Sequence, residues 1–312
     1  MTAKQMTSQS TSNILMIRPV AFGFNAQTAE SNAFQNRDDD QFAVQQKAVE
    51  EFDGFVNVLR QNGVNVIVVN DTPEPHTPDS IFPNNWVSFH DNGDIILYPM
   101  QAENRRLERR EDIIRQLEES FAAKRVIDLS RFELKDDFLE GTGSMVLDRP
   151  NKIAYACISP RTNAEVLKAF CDYTGYKAIT FDAIDQNGQA IYHTNVLMAL
   201  GSGFVVICLD SITNATEKEL VIKSIQTTGK EIIDISFDQM NHFAGNMLEV
   251  KNTSGDTLIV MSKAAFDSLS NEQKNALEKY GKLVYADIST IETNGGGSAR
   301  CMMAEVHLSL SH

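Results

Sequence analysis

The sequence predicts an α/β fold in which one hairpin–helix–strand module is repeated five times and closed into a ring. Three observations carry this expectation. Strands and helices alternate along all 312 residues without a long linker; a similar unit returns at nearly constant spacing; and the first and last segments read as two halves of one unit.

Hairpins come first in each unit. Apolar, β-branched runs joined by turn residues occur at 86–98 (turn DNGD), 144–157 (DRPNK), 196–208 (GSG) and 247–261 (NTSGD). A stretch with apolar residues three and four apart follows each hairpin, predicting helices over 105–120, 162–174, 215–227 and 264–280. A short β-rich run ends each unit, at 125–129, 176–181, 231–235 and 282–286. Between Trp86, Met145, Val196, Met247 and Cys301 the steps are 59, 51, 51 and 54 residues, within the range of repeat architectures. A fifth unit is split between the chain ends. Residues 298–308 are expected to pair with the strand 13–17, followed by a helix over 39–62 and a strand over 64–69. Such a ring leaves neither end as an unpaired edge. An ordinary doubly wound sheet with coincidental spacing is the alternative.

Residues 1–12, polar and without an apolar core, read as a flexible tail ahead of one catalytic domain spanning 13–312. With 42% hydrophobic and 22% charged residues the chain is of the soluble globular class. A net charge of −14 argues against a nucleic-acid reader, which needs a basic face. Its most apolar run, 196–209, is interrupted by Gly201, Ser202 and Gly203 and is too short to cross a bilayer, so no membrane partner is expected. A cytoplasmic location follows as the expectation, with a homodimer as the default assembly. The four cysteines (Cys157, Cys171, Cys208 and Cys301) show no metal or disulfide spacing and read as free thiols.

Function is concentrated just before each hairpin, because a ring aims equivalent loops at one centre. There stand Asp79, Glu140, His193, Asn246 and Cys301: two carboxylates, an imidazole, an amide and a thiol. Taken singly, Cys301 fits a small core residue, His193 a satisfied strand histidine, and Asp79 and Glu140 loop carboxylates or caps. Their joint occurrence at equivalent positions favours chemistry. Cys301 also follows a glycine cluster, 294–297 (NGGG), which allows close backbone approach to a ligand and suits a nucleophile on a tight turn. No dinucleotide fingerprint or phosphate loop is present, and the remaining histidines (His76, His90, His242, His307 and His312) form no metal set.

At these residues the chain resembles the guanidine-modifying enzymes of the pentein fold, a five-bladed α/β-propeller of pseudo-repeated ββαβ modules. That group includes arginine deiminases, dimethylarginine dimethylaminohydrolases and amidinotransferases; this sequence looks most like the citrulline-utilisation hydrolases. The resemblance runs from Ile14 to Leu308 and is strongest in DSIFPNNWVSFH (79–90), ILYPMQAENRRLERR (96–110), SPRTNAE (159–165), IYHTNVLMALG (191–201), FAGNMLEV (243–250) and NGGGSARCMMAEV (294–306). It implies Cys301 as nucleophile, His193 as general acid/base and Glu140 as its carboxylate partner. It further implies Asp79 on the guanidinium or ureido nitrogens, Arg161 on a substrate α-carboxylate with help from Arg105 or Arg106, and Asn84 and Asn246 among the substrate-binding residues. Neither a metal nor an organic cofactor is implied.

One departure bears on substrate. Arginine and agmatine deiminases carry an aspartate two residues after the histidine, where this chain has Asn195. One fewer negative charge favours a neutral ureido group over a permanently cationic guanidinium. The implied reaction is hydrolysis of citrulline to ornithine, carbon dioxide and ammonia through an S-carbamoyl enzyme. Alternatives are an arginine or methylarginine hydrolase, an amidinotransferase, and a non-catalytic binding protein of the same fold.

Overall fold

A computed structural model describes residues 7–29, 31–38 and 40–311. Its strands follow the predicted units closely. The first unit contributes β1 (Asn13–Arg18) and β2 (Asn65–Asn70), joined by the helix Gln41–Gln61. The next comprises β3 (Val87–Phe89), β4 (Asp94–Leu97) and β5 (Arg125–Asp128). Then come β6 (Val146–Asp148), β7 (Ile153–Cys157) and β8 (Lys177–Phe181), followed by β9 (Met198–Leu200), β10 (Phe204–Ile207) and β11 (Glu231–Asp234). The last are β12 (Leu248–Lys251), β13 (Thr257–Ser262), β14 (Lys282–Ala286) and β15 (Ala304–Glu305).

These fifteen strands form five separate three-stranded sheets, and none of the sheets closes on itself. In four of them an antiparallel hairpin is extended by a parallel strand that returns after a helix, as in β3–β4 and β4–β5. The remaining sheet joins the chain ends: β15 runs antiparallel to β1 (Ile14 opposite Glu305) and β2 runs parallel to it on the other side. The N- and C-terminal segments therefore complete one sheet, as their sequences predicted.

Cores lie between consecutive units. Ile96, Tyr98 and Leu129 of the second pack with Met145, Ala154 and Phe170 of the third. Ile14 and Phe52 of the first meet Val250, Val260 and Val284 of the fifth. Burying such aliphatic faces at roughly 25 cal/mol per Å² is the main force holding units this small together, since a small sheet gains its stability by packing its apolar face.

Two helices differ from expectation. The 105–120 prediction resolves into a single turn, Glu103–Arg106, and the helix Glu111–Ser120. Between them the arginine run is turned onto distant acceptors: Arg106 donates to the Met100 and Gln101 carbonyls, Arg109 to the Tyr98 carbonyl and Glu133, Arg110 to the Asn70 carbonyl. The 264–280 prediction splits at Ser270, which caps Asn271–Glu278 in a reciprocal capping box with Gln273.

The stretch 1–12, expected as a flexible tail, is corrected where it is described; residues 1–6 lie outside the described residues. Gln9 and Ser10 are buried. The Gln9 amide donates to the carbonyls of Leu147 (2.9 Å) and Leu200 (3.4 Å) and accepts from the Arg149 N–H (3.0 Å), while the Ser10 hydroxyl donates to Glu249. A short polar segment thus bonds to the third, fourth and fifth units, and its polarity serves buried hydrogen bonds. Gln9→Ala leaves two carbonyls and an N–H without that partner and is expected to lower unfolding free energy by about 1–3 kcal/mol, read from urea unfolding; a change near zero would mean that water replaces the amide.

Candidate active site

The loops entering the hairpins carry the functional side chains. Glu140 immediately precedes the helical turn Gly141–Ser144, His193 precedes the turn Thr194–Leu197, and Cys301 follows the glycine-rich end of the helix Ser289–Gly295. Gly143 is required at its position: a Cβ there would stand 2.4 Å from Asn85 Nδ2 and 2.8 Å from His193 Nδ1. Gly296, at φ +64°, lets its carbonyl accept from the Tyr192 hydroxyl (2.7 Å) and the Asn32 amide (3.2 Å), which fixes the loop leading to Cys301.

Cys301, His193, Asp79, Arg105 and Arg161 line one narrow cleft with about 280 Å³ of empty space, joined by Thr28, Asn32, Phe82, Asn85, Tyr192 and Gly295–Gly297. His193 Nε2 lies 2.7 Å from Glu140 Oε2, and both side chains are buried. Glu140 also accepts from the Gln101 N–H (3.0 Å) and stands 3.5 Å from Arg161. Burial pushes the Glu140 carboxyl upward, but the Arg161 charge and the His193 hydrogen bond outweigh it and hold the group far below the usual carboxylate range. Burial likewise disfavours charged His193, bringing it down to about 4 against the opposing pull of Glu140. At neutral pH the imidazole is therefore uncharged. With an ionised carboxylate on Nε2, that nitrogen carries the proton, and the lone pair sits on Nδ1, which can accept one.

Asp79 is divided between two tasks. Its Oδ2 accepts from Asn25 (2.7 Å) and Thr28 (3.1 Å), whereas Oδ1 is buried with no protein partner. Leaving a carboxylate oxygen unpaired in a dry cleft is costly unless a ligand donor meets it.

Other expected binding residues stand differently. Arg161 faces the cleft, but its guanidinium is engaged by the Thr28 carbonyl and Ser31 hydroxyl and lies over the Tyr192 ring. Arg105 also lines the cleft, locked onto Glu108 by two bonds of 2.9 Å and onto Asn85 Oδ1 at 2.8 Å. Arg106 is outside the cleft lining, half-buried and bound to backbone carbonyls, so of the two arginines Arg105 faces the site. Asn84 is not in the lining either; its amide turns to Thr142, and the neighbouring Asn85 faces the cleft with Nδ2 unpartnered. Asn246 contacts the nucleophile candidate: its Nδ2 is 3.3 Å from Cys301 Sγ.

Asn85 and the segment 18–38, which supplies Asn25, Thr28, Ser31 and Asn32, stand outside the candidates the sequence singles out. The second Asn of PNNW was a signal for the first. For the segment, the only cue was a run of small polar residues with no apolar period.

Comparison with known proteins fits this geometry. The family model described as N,N dimethylarginine dimethylhydrolase, eukaryotic, matches residues 18–308. The chain belongs to this family, within the guanidino-modifying pentein superfamily. Among solved structures, the N-terminal domain of ArgZ bound to substrate, an arginine dihydrolase from the ornithine-ammonia cycle in cyanobacteria, superposes with a TM-score of 0.73 at 18% identity, covering 94% of this chain and 97% of that one. Apo ArgZ gives 0.74 at the same identity, and this dimethylhydrolase-family chain spans only 40% of that structure's length. A Pseudomonas aeruginosa DDAH mutant complexed with citrulline gives 0.65 at 16% identity, covering 96% and 99%. At these identities the likeness establishes the α/β pentein-type fold. A comparison with curated proteins finds no match.

Proposed function

We propose that this chain is a cysteine-dependent hydrolase of a ureido or guanidino C–N bond, with citrulline as the preferred substrate. In this reading residues 13–312 form one catalytic domain whose five sheets are the blades of a closed ring. The carrying observation is the charge of the cleft. Asp79 lies 3.9 Å from Arg105, which Glu108 holds by two shorter bonds, and Glu140 lies 3.5 Å from Arg161, so each cation of the cleft is already met by a carboxylate and one oxygen of Asp79 is free. A neutral ureido group donating an N–H to Asp79 Oδ1 satisfies that oxygen, and Asn195 in place of a second carboxylate leaves a guanidinium only Asp79 to meet its charge.

Cys301 attacks the ureido carbon while Asp79 holds the nitrogens, which supplies the positional part of catalysis. His193, oriented by Glu140, moves the proton: it takes one from the Cys301 thiol, delivers it to the departing δ-nitrogen and then takes one from water. Expulsion of that nitrogen yields ornithine and an S-carbamoyl enzyme, and hydrolysis releases carbamate, which decomposes to carbon dioxide and ammonia. A substrate α-carboxylate would replace Ser31 on Arg161, restoring a charge-assisted pair in place of a neutral one.

A second reading, arginine or a methylated arginine as substrate, is favoured by the neutral state of His193. Without an imidazolium beside the sulfur, a cationic substrate would itself stabilise a thiolate. Both ArgZ and AgrE are represented by complexes with substrate or L-arginine. Incubating the purified protein separately with each amino acid and assaying ornithine and citrulline decides between them. Ornithine from citrulline is expected; rapid consumption of arginine with citrulline left untouched would overturn the first reading.

A further inference from the structure

Asn195, which the sequence presents only as a missing carboxylate, is turned toward the sulfur. Its Nδ2 lies 3.4 Å from Cys301 Sγ, and that is its only side-chain hydrogen bond among the described residues. Asn246 Nδ2 approaches the same sulfur at 3.3 Å. The orientation of the Asn246 amide is fixed from both sides: Nδ2 also donates to the Asn195 carbonyl (2.9 Å), and Oδ1 accepts from the Arg300 N–H (3.0 Å). A thiol proton would find only the longer contact to Asn246 Oδ1, at 3.7 Å. The two shorter contacts come from donors, which a thiolate accepts better than a thiol does.

We propose that Asn195 and Asn246 form a donor pair that stabilises the Cys301 thiolate. The proposal rests on Cys301 being the nucleophile, whichever substrate it attacks. The charged groups around the sulfur leave this work to the amides. Within its cleft, Arg105 is held by Glu108 and lies near Asp79, Arg161 lies 3.5 Å from Glu140, and His193 is uncharged. Arg300, adjacent in sequence, and Tyr192, in the cleft lining, are the other ionisable neighbours of Cys301. Arg300 is tied to Glu305 at 2.9 Å, and burial keeps the Tyr192 hydroxyl protonated. Among the described residues each of these cations contacts a carboxylate, Arg300 sharing Glu305 with Arg149.

Such a pair acts at both ends of the reaction. On attack the sulfur electron pair forms the S–C bond and the donors lose their anion. When water adds to the S-carbamoyl carbon and the S–C bond breaks, the pair returns to sulfur, and the same donors stabilise the departing thiolate. The water proton goes to His193. An aspartate at 195 would oppose both steps by placing a second anion against the sulfur.

Iodoacetamide alkylation tests this without an amino-acid substrate. Burial pushes Cys157 up to about 12 and Cys171 and Cys208 up to about 11, so at neutral pH the reagent is expected to select Cys301. Asn195→Ala removes the sulfur contact and no other side-chain bond. Loss of one donor bond to an anion is worth about one pH unit, which cuts the thiolate fraction about tenfold while raising intrinsic nucleophilicity about threefold. The variant should therefore react about three- to fourfold more slowly than wild type at neutral pH and about threefold faster once both thiols are fully ionised. Asn195→Asp, nearly isosteric, should move the profile to still higher pH and covers the case in which N195A folds poorly. Profiles that superimpose on wild type, or a slowing by one factor at every pH, would overturn the donor pair. Failure here leaves the citrulline reading untouched, and turnover of neither amino acid leaves the donor pair untouched.

Discussion

Cys301→Ala is expected to abolish hydrolysis, lowering kcat by about 10⁴-fold or more while the protein stays folded and still binds substrate. The sulfur forms the covalent bond in the proposed mechanism, and none of the other three thiols lines the cleft to take its place. Cys157 lies buried behind Thr194, held by a bond from the Cys157 N–H to the Thr194 hydroxyl. Replacing one small buried side chain by another leaves a minor void, so a melting temperature within a few degrees of wild type is expected. Ornithine release measures the chemistry, and calorimetric titration measures binding. Full activity in the variant would remove Cys301 from the mechanism and, with it, the covalent intermediate.

Much of the fold was legible because the sheets are local. β3 and β4, or β12 and β13, are joined by a few turn residues, and Val, Ile and Leu alternation announces them. Even the split sheet could be read, since Asn13–Arg18 and the segment after Cys301 each lacked a partner. The N-terminal residues before it were misread because Gln9 and Ser10 bury themselves by polar bonds, which leave no apolar period. The site divides the same way. Equivalent loops named Cys301, His193, Glu140 and Asp79, but side-chain direction did not follow from spacing. Asn84 and Asn85 are neighbours, yet only Asn85 reaches the cleft. Arg161, expected on a substrate α-carboxylate, is held by Ser31, 130 residues away. Asn32 and Gly296, 264 residues apart, meet through a contact that no local pattern records.

Asp79→Asn should separate the two substrate readings. The substitution keeps shape and preserves an acceptor for Asn25 and Thr28 if the amide oxygen takes the place of Oδ2. The amide nitrogen then occupies the position of Oδ1, the buried oxygen without a protein partner, and presents N–H where the substrate also presents N–H. Two donors face each other and the bond is lost. For a ureido substrate that loss is one of hydrogen bonding and orientation, expected to lower kcat/KM by about 10²- to 10³-fold. For a guanidinium the same change also removes the nearest anion, so the ligand charge loses its counter-charge while the Arg105 cation, held by Glu108, stays nearby. Arginine turnover should therefore fall by a larger factor than citrulline turnover, and the difference should shrink as salt is raised only to the extent that the cleft admits ions. Parallel kcat/KM measurements on wild type and D79N with both amino acids supply the comparison. Equal losses would mean that Asp79 acts through geometry alone, and an unchanged kcat/KM would remove it from the substrate site.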